Sequence, residues 1–380
     1  MIDLPVFIVE ILDKLQAHGF TSYIVGGSIR DLLLGKTPKD WDLCTPASPT
    51  QIKAIFPHHF TLGERYGTIG VKSQDTIVQI TTFRIETKYH DYRHPQVHFT
   101  HSLQEDLKRR DFTINAIAFN PQEGIIDPYG GVQDLNAKIL RCVGNPQERF
   151  QEDALRILRL MRFQSTLNFQ ADPPTLQQAL QASHLLSKIA KERIREELLQ
   201  SLMGDYFVNT FCAYKPIYQQ VLPQLKKAKK CHFKNPALLL AFLLEQETDV
   251  QALVQLKFDK KTIQRTQTLL RYKHLEIQDD PKKLKMLLKD IGYDCVLALF
   301  ELQKALGKNI KKQYQRLQSI MIHNECFMLK DLQVNGNDLR MIQAPTKEIG
   351  NILETLLDEV IEEKIPNQKD MLLSRAQELF

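Results

Sequence analysis

The amino-acid sequence predicts an α+β fold: a small N-terminal module with a mixed or mostly antiparallel sheet, followed by an all-helical remainder. Between residues 21 and 140, short apolar runs alternate with turns that carry Gly and Pro, which is typical of short strands. From about residue 145, Gly and Pro become rare and apolar residues recur with the 3.6-residue period of helices. The loops of the first module are too short for a repeated βαβ dinucleotide fold.

The elements follow in order from these patterns. A first helix is expected within residues 1–20, ended by Gly19. Strands are expected at 23–25, from Trp41 onward, and at 68–72, 76–83, 96–99, 115–119 and 138–143. A short helix is expected over 28–34, and longer ones near 148–164, 173–182, 189–203, 206–213, 235–244, 248–256, 259–271, 281–289, 292–306, 308–321, 346–361 and 366–378.

Composition narrows the class of protein. The chain has 380 residues, of which 43% are hydrophobic and 25% are charged, as in ordinary globular proteins. No run of 18 apolar residues occurs, so a membrane partner is not expected. The six cysteines form no CxxC pair, which favours reduced thiols in the cytoplasm and gives no zinc site. A net charge of +5 allows a polyanionic partner without requiring one.

The stretch 23–45, YIVGGSIRDLLLGKTPKDWDLCT, is the most informative. It predicts a buried strand, a diglycine turn, a short helix and a second strand. The turn exposes backbone N–H groups beside a helix start, which suits a phosphate. Asp40 and Asp42 are two residues apart, so on a strand both carboxylates point to one side, where a divalent cation would offset their repulsion. The alternative is a pair of solvated aspartates.

Two further stretches carry candidate binding residues. In 105–119, Arg109 and Arg110 precede a predicted strand. Their guanidinium groups are suited to binding phosphate. The alternative is a surface ion-pair network with Asp106 and Asp111. In 148–163, ERFQEDALRILRLMRF, a continuous helix would set Asp153 and Arg156 side by side, and Arg156 and Arg159 opposite the core.

The pair Asp153 and Arg156 has two interpretations. It can be an intrahelical salt bridge. Alternatively, the aspartate accepts from an exocyclic amine and the arginine donates to a ring nitrogen and carbonyl, which would select C and A over U and G. Lysine clusters at 226–230, 257–261, 282–285 and 311–312 are either solvated helix faces or phosphate contacts along a helical arm.

In combination, these motifs resemble a known family. GGSIRDLLLG followed by KDWDL, then RRDFTINA, then EDALRILRLMRF are similar to the motifs of class II tRNA nucleotidyltransferases, the CCA-adding enzymes of the DNA polymerase beta superfamily. The resemblance extends along the whole chain, more loosely over 332–373. It implies a seahorse-like molecule with a nucleotidyltransferase head at 1–140, and an all-α neck at 141–204, body at 205–273 and tail at 274–380.

The resemblance also implies chemistry. C, C and A would be added to the tRNA 3′ end from CTP and ATP, with Mg²⁺ and without a nucleic-acid template. Asp40 and Asp42 would be the catalytic residues that hold the metal. The residues implied to bind the nucleotide are Gly27 and Arg30 (triphosphate), Arg110, Asp153 and Arg156 (protein template), and Arg159 and Arg162 (phosphate or ribose). The resemblance leaves a homodimer open.

One position departs from the family. The family strand usually reads Glu-Val-Thr-Thr-Phe-Arg, whereas residues 79–84 here read QITTFR. Gln79 carries no charge and cannot act as a base, so a third catalytic carboxylate is in doubt. Residues 84–100 resemble the family's flexible loop, which disfavours a CC-only enzyme. The histidine series His90, His94, His98 and His101 does not predict a metal site, because Pro95 breaks any helix that would align them.

Three functional alternatives remain open from the sequence. CCA addition is the leading hypothesis. An A-adding enzyme or a bacterial poly(A) polymerase is the nearest alternative, since no feature of the sequence separates them cleanly. A non-catalytic RNA-binding protein with the same fold is the alternative from another class, and the intact Asp40, Asp42 and Arg110 argue against it.

Overall fold

The computed structural model describes residues 2–74, 76–87, 96–230 and 232–380. The chain divides into two units, Met1–Pro223 and Gln224–Phe380. The first holds every described strand and the candidate site. The second is built from helices.

The first unit combines short strands with helices of 6 to 15 residues. Its strands are β1 (Tyr23–Val25), β2 (Trp41–Thr45), β3 (His59–Gly63), β4 (Thr68–Ser73), β5 (Thr76–Thr82), β6 (Arg84–Thr87), β7 (Gln96–Phe99), β8 (Ala118–Asn120), β9 (Gly124–Ile126), β10 (Ile139–Leu140) and β11 (Gln170–Ala171). Its helices are α1 (Val6–Ala17), α2 (Gly27–Leu33), α3 (Pro49–Ile55), α4 (Leu103–Lys108), α5 (Gly131–Ala137), α6 (Pro146–Glu152), α7 (Leu155–Leu167), α8 (Pro173–Gln181), α9 (Lys191–Leu202) and α10 (Phe207–Val221).

A seven-stranded sheet organises this unit. Its strand order is β3-β4-β5-β2-β1-β8-β9. β2 and β5 pair in parallel, and the other neighbours are antiparallel. The sheet is therefore mixed, as the sequence predicts. β6 with β7, and β10 with β11, form separate two-stranded sheets.

One face of the sheet packs against α1 and α3. Ile24, Leu43 and Ile80 point from the strands into this core, where Ile8 of α1 and Ile52 of α3 meet them. Successive residues of each strand point to opposite faces of the sheet, so these apolar residues alternate with residues of the other face. That other face carries Asp42. A smaller cluster around Tyr23, Val25 and Cys44 covers the part of that opposite face formed by β1 and β2.

The second unit continues the helical pattern. Its helices are α11 (Pro236–Leu243), α12 (Val250–Gln255), α13 (Lys260–Tyr272), α14 (Pro281–Ile291), α15 (Tyr293–Ala305), α16 (Lys311–Ile322), α17 (Gly336–Met341), α18 (Ile349–Ile361) and α19 (Lys369–Gln377). Several begin with an Asn or Asp side chain that accepts from the first-turn N–H groups, as Asp259 and Asn235 do. Within the described ranges, each helix is too short or too polar to cross a bilayer.

The α+β prediction is confirmed, with differences in detail. Helices α3, α4 and α5 lie in the region predicted as strands and turns. The expected helix 206–213 continues to Val221, through a kink at Tyr214 that Pro216 explains, because proline removes a backbone donor. The predicted strand 138–143 shortens to β10, whose partner β11 interrupts the otherwise helical neck. Residues 88–95, with His90 and His94, lie outside the described residues.

Candidate active site

The two candidate metal-binding aspartates lie at the start of β2. Asp42 is the second residue of the strand, and Asp40 directly precedes it. Ser28 of α2 fixes this corner: its hydroxyl donates to the Asp40 carbonyl at 3.1 Å and accepts from the Asp42 backbone N–H at 2.8 Å. Sequence reasoning did not single out Ser28. The two aspartates line one cavity, in agreement with their two-residue spacing.

The first glycine of the diglycine turn, Gly26, is favoured by its backbone conformation and lies close to a site arginine. Gly26 has φ +67°, in the left-handed region that side chains rarely adopt. A Cβ at this position would also lie 2.9 Å from Arg110 Nη1. The turn therefore lets the Arg110 guanidinium approach the backbone at the start of α2.

All of the sequence-predicted site residues line a single cavity of about 590 Å³. The predicted residues in its wall are Gly27, Arg30, Asp40, Asp42, Arg110, Asp153, Arg156, Arg159 and Arg162. The remaining lining residues are Gly26, Arg84, Glu86, Arg109, Asp111, Asn115, Leu155, Phe163 and Arg193. Asn115 and Phe163 lie within the stretches RRDFTINA and EDALRILRLMRF but were not singled out there, and Arg193 lies outside every motif of the sequence analysis.

Three arginines surround one aromatic ring in this cavity. The guanidinium carbons of Arg30, Arg159 and Arg162 lie 5.1, 5.4 and 4.3 Å from the centroid of the buried Phe163 ring. Arg30 also donates to Asn115 Oδ1 at 2.7 Å. The ring face attracts cations and holds like charges close together. The result is a concentration of positive charge suited to a polyphosphate.

A fully buried carboxylate, Asp106, anchors the predicted arginine pair. It accepts from Arg109 Nη2 at 2.8 Å, from Arg110 Nη2 at 3.3 Å and from the Arg84 backbone N–H at 3.2 Å. Burial favours the neutral acid, but Arg109 and Arg110 outweigh it and lower the pKa of Asp106. The predicted alternative of a surface network is wrong in two respects: the network is buried, and Asp111 lies outside it.

Asp111 instead pairs with α7. Arg159 Nε donates to Asp111 Oδ2 at 2.7 Å, and the Asn115 amide donates to Oδ1 at 3.0 Å. Burial raises the pKa of this carboxyl, and the Arg159 charge with the Asn115 hydrogen bond reverses the effect, so the net pKa is well below its usual range. Arg162 Nε lies 2.7 Å from Glu197 Oε2. Both arginines are thereby oriented toward the cavity.

The expected continuous helix over 148–164 is wrong at Asp153. α6 ends at Glu152, Asp153 has extended backbone angles (φ −139°, ψ 100°), and α7 starts at Leu155. The Asp153 side chain accepts from the Leu155 backbone N–H at 3.0 Å, and such local hydrogen bonding competes with helix continuation. Asp153 is held by Arg193 of α9, whose Nη2 lies 3.0 Å from Oδ2.

Arg156 also differs from the prediction. It is buried rather than opposite the core. Its guanidinium donates to Glu152 Oε2 at 2.8 Å and to the Arg109 carbonyl at 3.0 Å. Asp153 and Arg156 therefore do not form the intrahelical salt bridge, yet both remain in the wall of the same cavity.

Gln79 lies next to Asp42. Its Cα is the register partner of Asp42 in the parallel pair β2 and β5, so both side chains project from the same face. Within the described part of the chain, the carboxylates of Asp40 and Asp42 make no ion pair and accept no hydrogen bond, unlike those of Asp106 and Asp111. Burial raises the pKa of Asp42, and Arg110 opposes the shift. Two unpaired carboxylates of this kind fit a hard cation.

Comparisons with known proteins agree with this geometry. The family described as "Poly A polymerase head domain" matches residues 22–141, "Probable RNA and SrmB- binding site of polymerase A" matches 168–229, and "tRNA nucleotidyltransferase domain 2 putative" matches 235–376. The head match contains the sheet, the diglycine turn and both aspartates. Fold and site thus define a nucleotidyltransferase.

Relatives that match over nearly their full length identify the family more closely. The chain is 36% identical to a CCA-adding enzyme of Lactococcus lactis subsp. cremoris (strain SK11), over 97% of this chain and 95% of that protein. It is 34% identical to one of Ligilactobacillus salivarius (strain UCC118), with the same coverage. The crystal structure of the Bacillus stearothermophilus CCA-adding enzyme in complex with CTP superposes with a TM-score of 0.84, at 28% identity, covering 99% of this chain and 98% of that one. The chain belongs to the CCA-adding enzymes, a family of tRNA nucleotidyltransferases.

The family implies a divalent metal ion, and the carboxylates present fit one. The described residues contain no group of three or more His, Cys, Asp or Glu side chains suited to a metal. This agrees with Gln79 standing where the family usually has a third carboxylate.

Proposed function

We propose that this chain adds C, C and A to the 3′ end of tRNA from CTP and ATP, without a nucleic-acid template and with release of pyrophosphate. The observation that carries the proposal is the single cavity that joins the unpaired Asp40 and Asp42 to an arginine cluster, in a chain of this family. The 3′-hydroxyl oxygen would bond to the α-phosphorus, the bond to the β-phosphate oxygen would break, and the hydroxyl proton would pass to solvent.

The triphosphate is assigned to the side of the cavity formed by α2 and α4. Gly27 offers backbone at a helix start, and Arg30 and Arg110 supply charge. Arg110 lines the cavity, and its Nε has no hydrogen-bond partner among the described residues. Asp40 and Asp42 would hold Mg²⁺, which neutralises phosphate charge when bound.

The base is assigned to the side formed by α6 and α7. Asp153 would accept from the amine of cytosine or adenine, and Arg156 would donate to the ring nitrogen and carbonyl. Two ion pairs hold these side chains in place: Arg193 pairs with Asp153, and Glu152 pairs with Arg156. Arg159 and Arg162 would bind phosphate or ribose.

Asp153→Ala is expected to impair discrimination of CTP and ATP against UTP and GTP by about 10-fold or more, because each good bidentate contact contributes about 1–3 kcal/mol of base selection. Competition assays with all four nucleotides measure it. The matched control is Glu148→Ala in α6, an exposed carboxylate outside the cavity. Full selectivity in Asp153→Ala would refute the template assignment.

Gln79→Glu is expected to lower the Mg²⁺ concentration needed for half-maximal activity, because a third carboxylate beside Asp42 adds negative charge. The wild-type chain is expected to be active, since phosphoryl transfer depends mainly on positioning and charge neutralisation. Magnesium titrations of both proteins make the comparison. A wild-type enzyme inactive with every divalent metal but restored by Gln79→Glu would mean that Gln79 disables the site.

The tRNA is assigned to the head and to basic segments of the rest of the chain, divided as head 1–140, neck 141–204, body 205–273 and tail 274–380. Lys226, Lys227 and Lys230 are exposed, and phosphate contacts are assigned to them. Lys285 is not a phosphate ligand, because it is buried and lies 3.1 Å from Glu325. The observed boundary between the two units, at 223/224, lies inside the proposed body.

Pyrophosphate release from CTP in the presence of tRNA lacking its CCA end tests the proposal. Release that requires both substrates supports catalysis, and its absence at every metal concentration would favour a non-catalytic RNA-binding protein. All residues that line the cavity come from one chain, so the homodimer left open by the sequence is not required for the site. Analytical sedimentation measures the oligomeric state. The proposed location is the cytoplasm, where tRNA is processed.

A further inference from the structure

The sheet face that carries Asp42 continues, beyond the cavity, across β5, β4 and β3. The register aligns Asp42 with Gln79, Gln79 with Gly70, and Gly70 with Phe60. These residues therefore form one row that crosses four strands on one side of the sheet. At about 4.8 Å between strands, Phe60 lies about 14 Å from Asp42.

A second row runs parallel to the first. Ile77 is the register partner of Lys72, and the pairing of Trp41 with Val78 places Asp40 level with Ile77. Phe60 and Ile77 are 46% and 47% exposed. Lys72 is exposed. Both rows thus begin at a candidate catalytic aspartate and end at large apolar or cationic side chains that face solvent.

This surface is separate from the nucleotide cavity. The cavity lining comes from α2, α4, α6, α7, α9, β2, β6 and their adjoining loops, and none of it from β3, β4 or β5. Asp40 and Asp42 stand at the boundary between the two surfaces. Phe60 and Ile77 lie on this face of β3 and β5, so exposed apolar surface extends away from that boundary.

The geometry of the reaction decides the occupant. In phosphoryl transfer the attacking and leaving oxygens are roughly in line, on opposite sides of the transferred phosphorus. If the triphosphate lies on the α2 and α4 side, pyrophosphate leaves toward that side. The attacking 3′-hydroxyl must then approach the aspartates from the side of β5.

We propose that the face formed by Phe60, Lys72, Ile77 and Gln79 binds the single-stranded 3′ end of the RNA substrate. The inference rests on the proposed function and adds the position of the acceptor. Phe60 and Ile77 offer apolar surface to bases, and stacking on an aromatic ring tolerates any base. Lys72 supplies charge for a phosphate.

Gln79 has a specific place in this surface. It is the residue of β5 beside Asp42, so it meets the terminal ribose. Its amide both donates and accepts, which suits the 2′- and 3′-hydroxyls, whereas a carboxylate only accepts. Glutamine at this position thus acts on the acceptor ribose.

The test compares Phe60→Ala and Ile77→Ala with Ile125→Ala. Ile125 is a matched control because it is 45% exposed and lies on β9, at the other edge of the sheet. Steady-state kinetics use a tRNA lacking its CCA end, with CTP and ATP. Phe60→Ala and Ile77→Ala are expected to raise KM for tRNA at least about fivefold, the low end for loss of one base stack, and to leave KM for CTP unchanged. Ile125→Ala is expected to match the wild type.

A second variant keeps the aromatic surface and reports on it directly. Phe60→Trp is expected to change its fluorescence when tRNA is added, but not when CTP is added. Trp41, the chain's one tryptophan, is buried, so the wild-type protein supplies the background. Wild-type KM for tRNA in both alanine variants, or no fluorescence response, would overturn the inference. A wild-type enzyme that adds no nucleotide would instead overturn the proposed function.

Discussion

Asp42→Asn is expected to reduce incorporation of CMP and AMP into tRNA by about 10³-fold or more. The Asp42 carboxylate lacks a protein partner in the described residues and stands beside Asp40, and we propose that its charge holds the cation that phosphoryl transfer requires. Several kcal/mol of lost charge stabilisation corresponds to a rate loss of that size. Transfer of radiolabelled nucleotide measures it, with Asp13→Asn on the exposed face of α1 as control.

The same substitution is expected to leave thermal stability unchanged or slightly raised. Burial raises the pKa of Asp42, so the charged form costs free energy in the folded state, and the neutral isostere removes that cost. The backbone contact with Ser28 does not depend on the carboxylate. An Asp42→Asn protein that is folded and fully active would contradict the assignment of Asp42 to catalysis.

Asp106→Asn is expected to destabilise the first unit by about 3–5 kcal/mol, the range for removing one partner of a buried ion pair. The fully buried Asp106 carboxylate neutralises the charges of Arg109 and Arg110. The uncharged amide of asparagine would not neutralise them. Urea unfolding followed through Trp41 reports on this unit, because Trp41 lies in its core. Activity is expected to fall as well, since Arg110 loses its anchor beside the diglycine turn.

Glu105→Gln is the control for that substitution. Glu105 is the neighbouring residue of α4, and its only close charge partner among the described residues is Lys108, at 3.9 Å. A pair this exposed contributes about 0–1 kcal/mol, so the control should unfold like the wild type. Equal midpoints for Asp106→Asn and Glu105→Gln would mean that the buried network does not stabilise the fold.

The parts of the site that lie close together in sequence were predictable from sequence. The turn at Gly26 and Gly27, helix α2 and the pair Asp40 and Asp42 fall within 23 residues, so turn chemistry and strand periodicity fix their relations. The long helices of the second unit follow from their 3.6-residue period. Short helices such as α3 and α4 do not, because six or seven residues carry too little periodicity to distinguish them from turns.

Long-range contacts account for what the sequence did not reveal. Asp153 leaves the helix because its side chain caps Leu155 and pairs with Arg193, 40 residues away. The ring of Phe163 gathers arginines from α2 and α7, and Asp111 pairs with Arg159 rather than with its neighbours. The place of Gln79 beside Asp42 depends on the parallel pairing of β2 and β5, for which only the family resemblance gave a signal.

The most direct measurement of CCA addition is the length of the products formed on a tRNA that lacks its CCA end. Wild-type protein is incubated with CTP alone, ATP alone or both, and the products are resolved on a sequencing gel. CCA addition predicts two added nucleotides with CTP alone, none with ATP alone, and three with both, after which extension stops. A single A added only to tRNA already ending in CC, a ladder of added A residues, or no extension at all would contradict it.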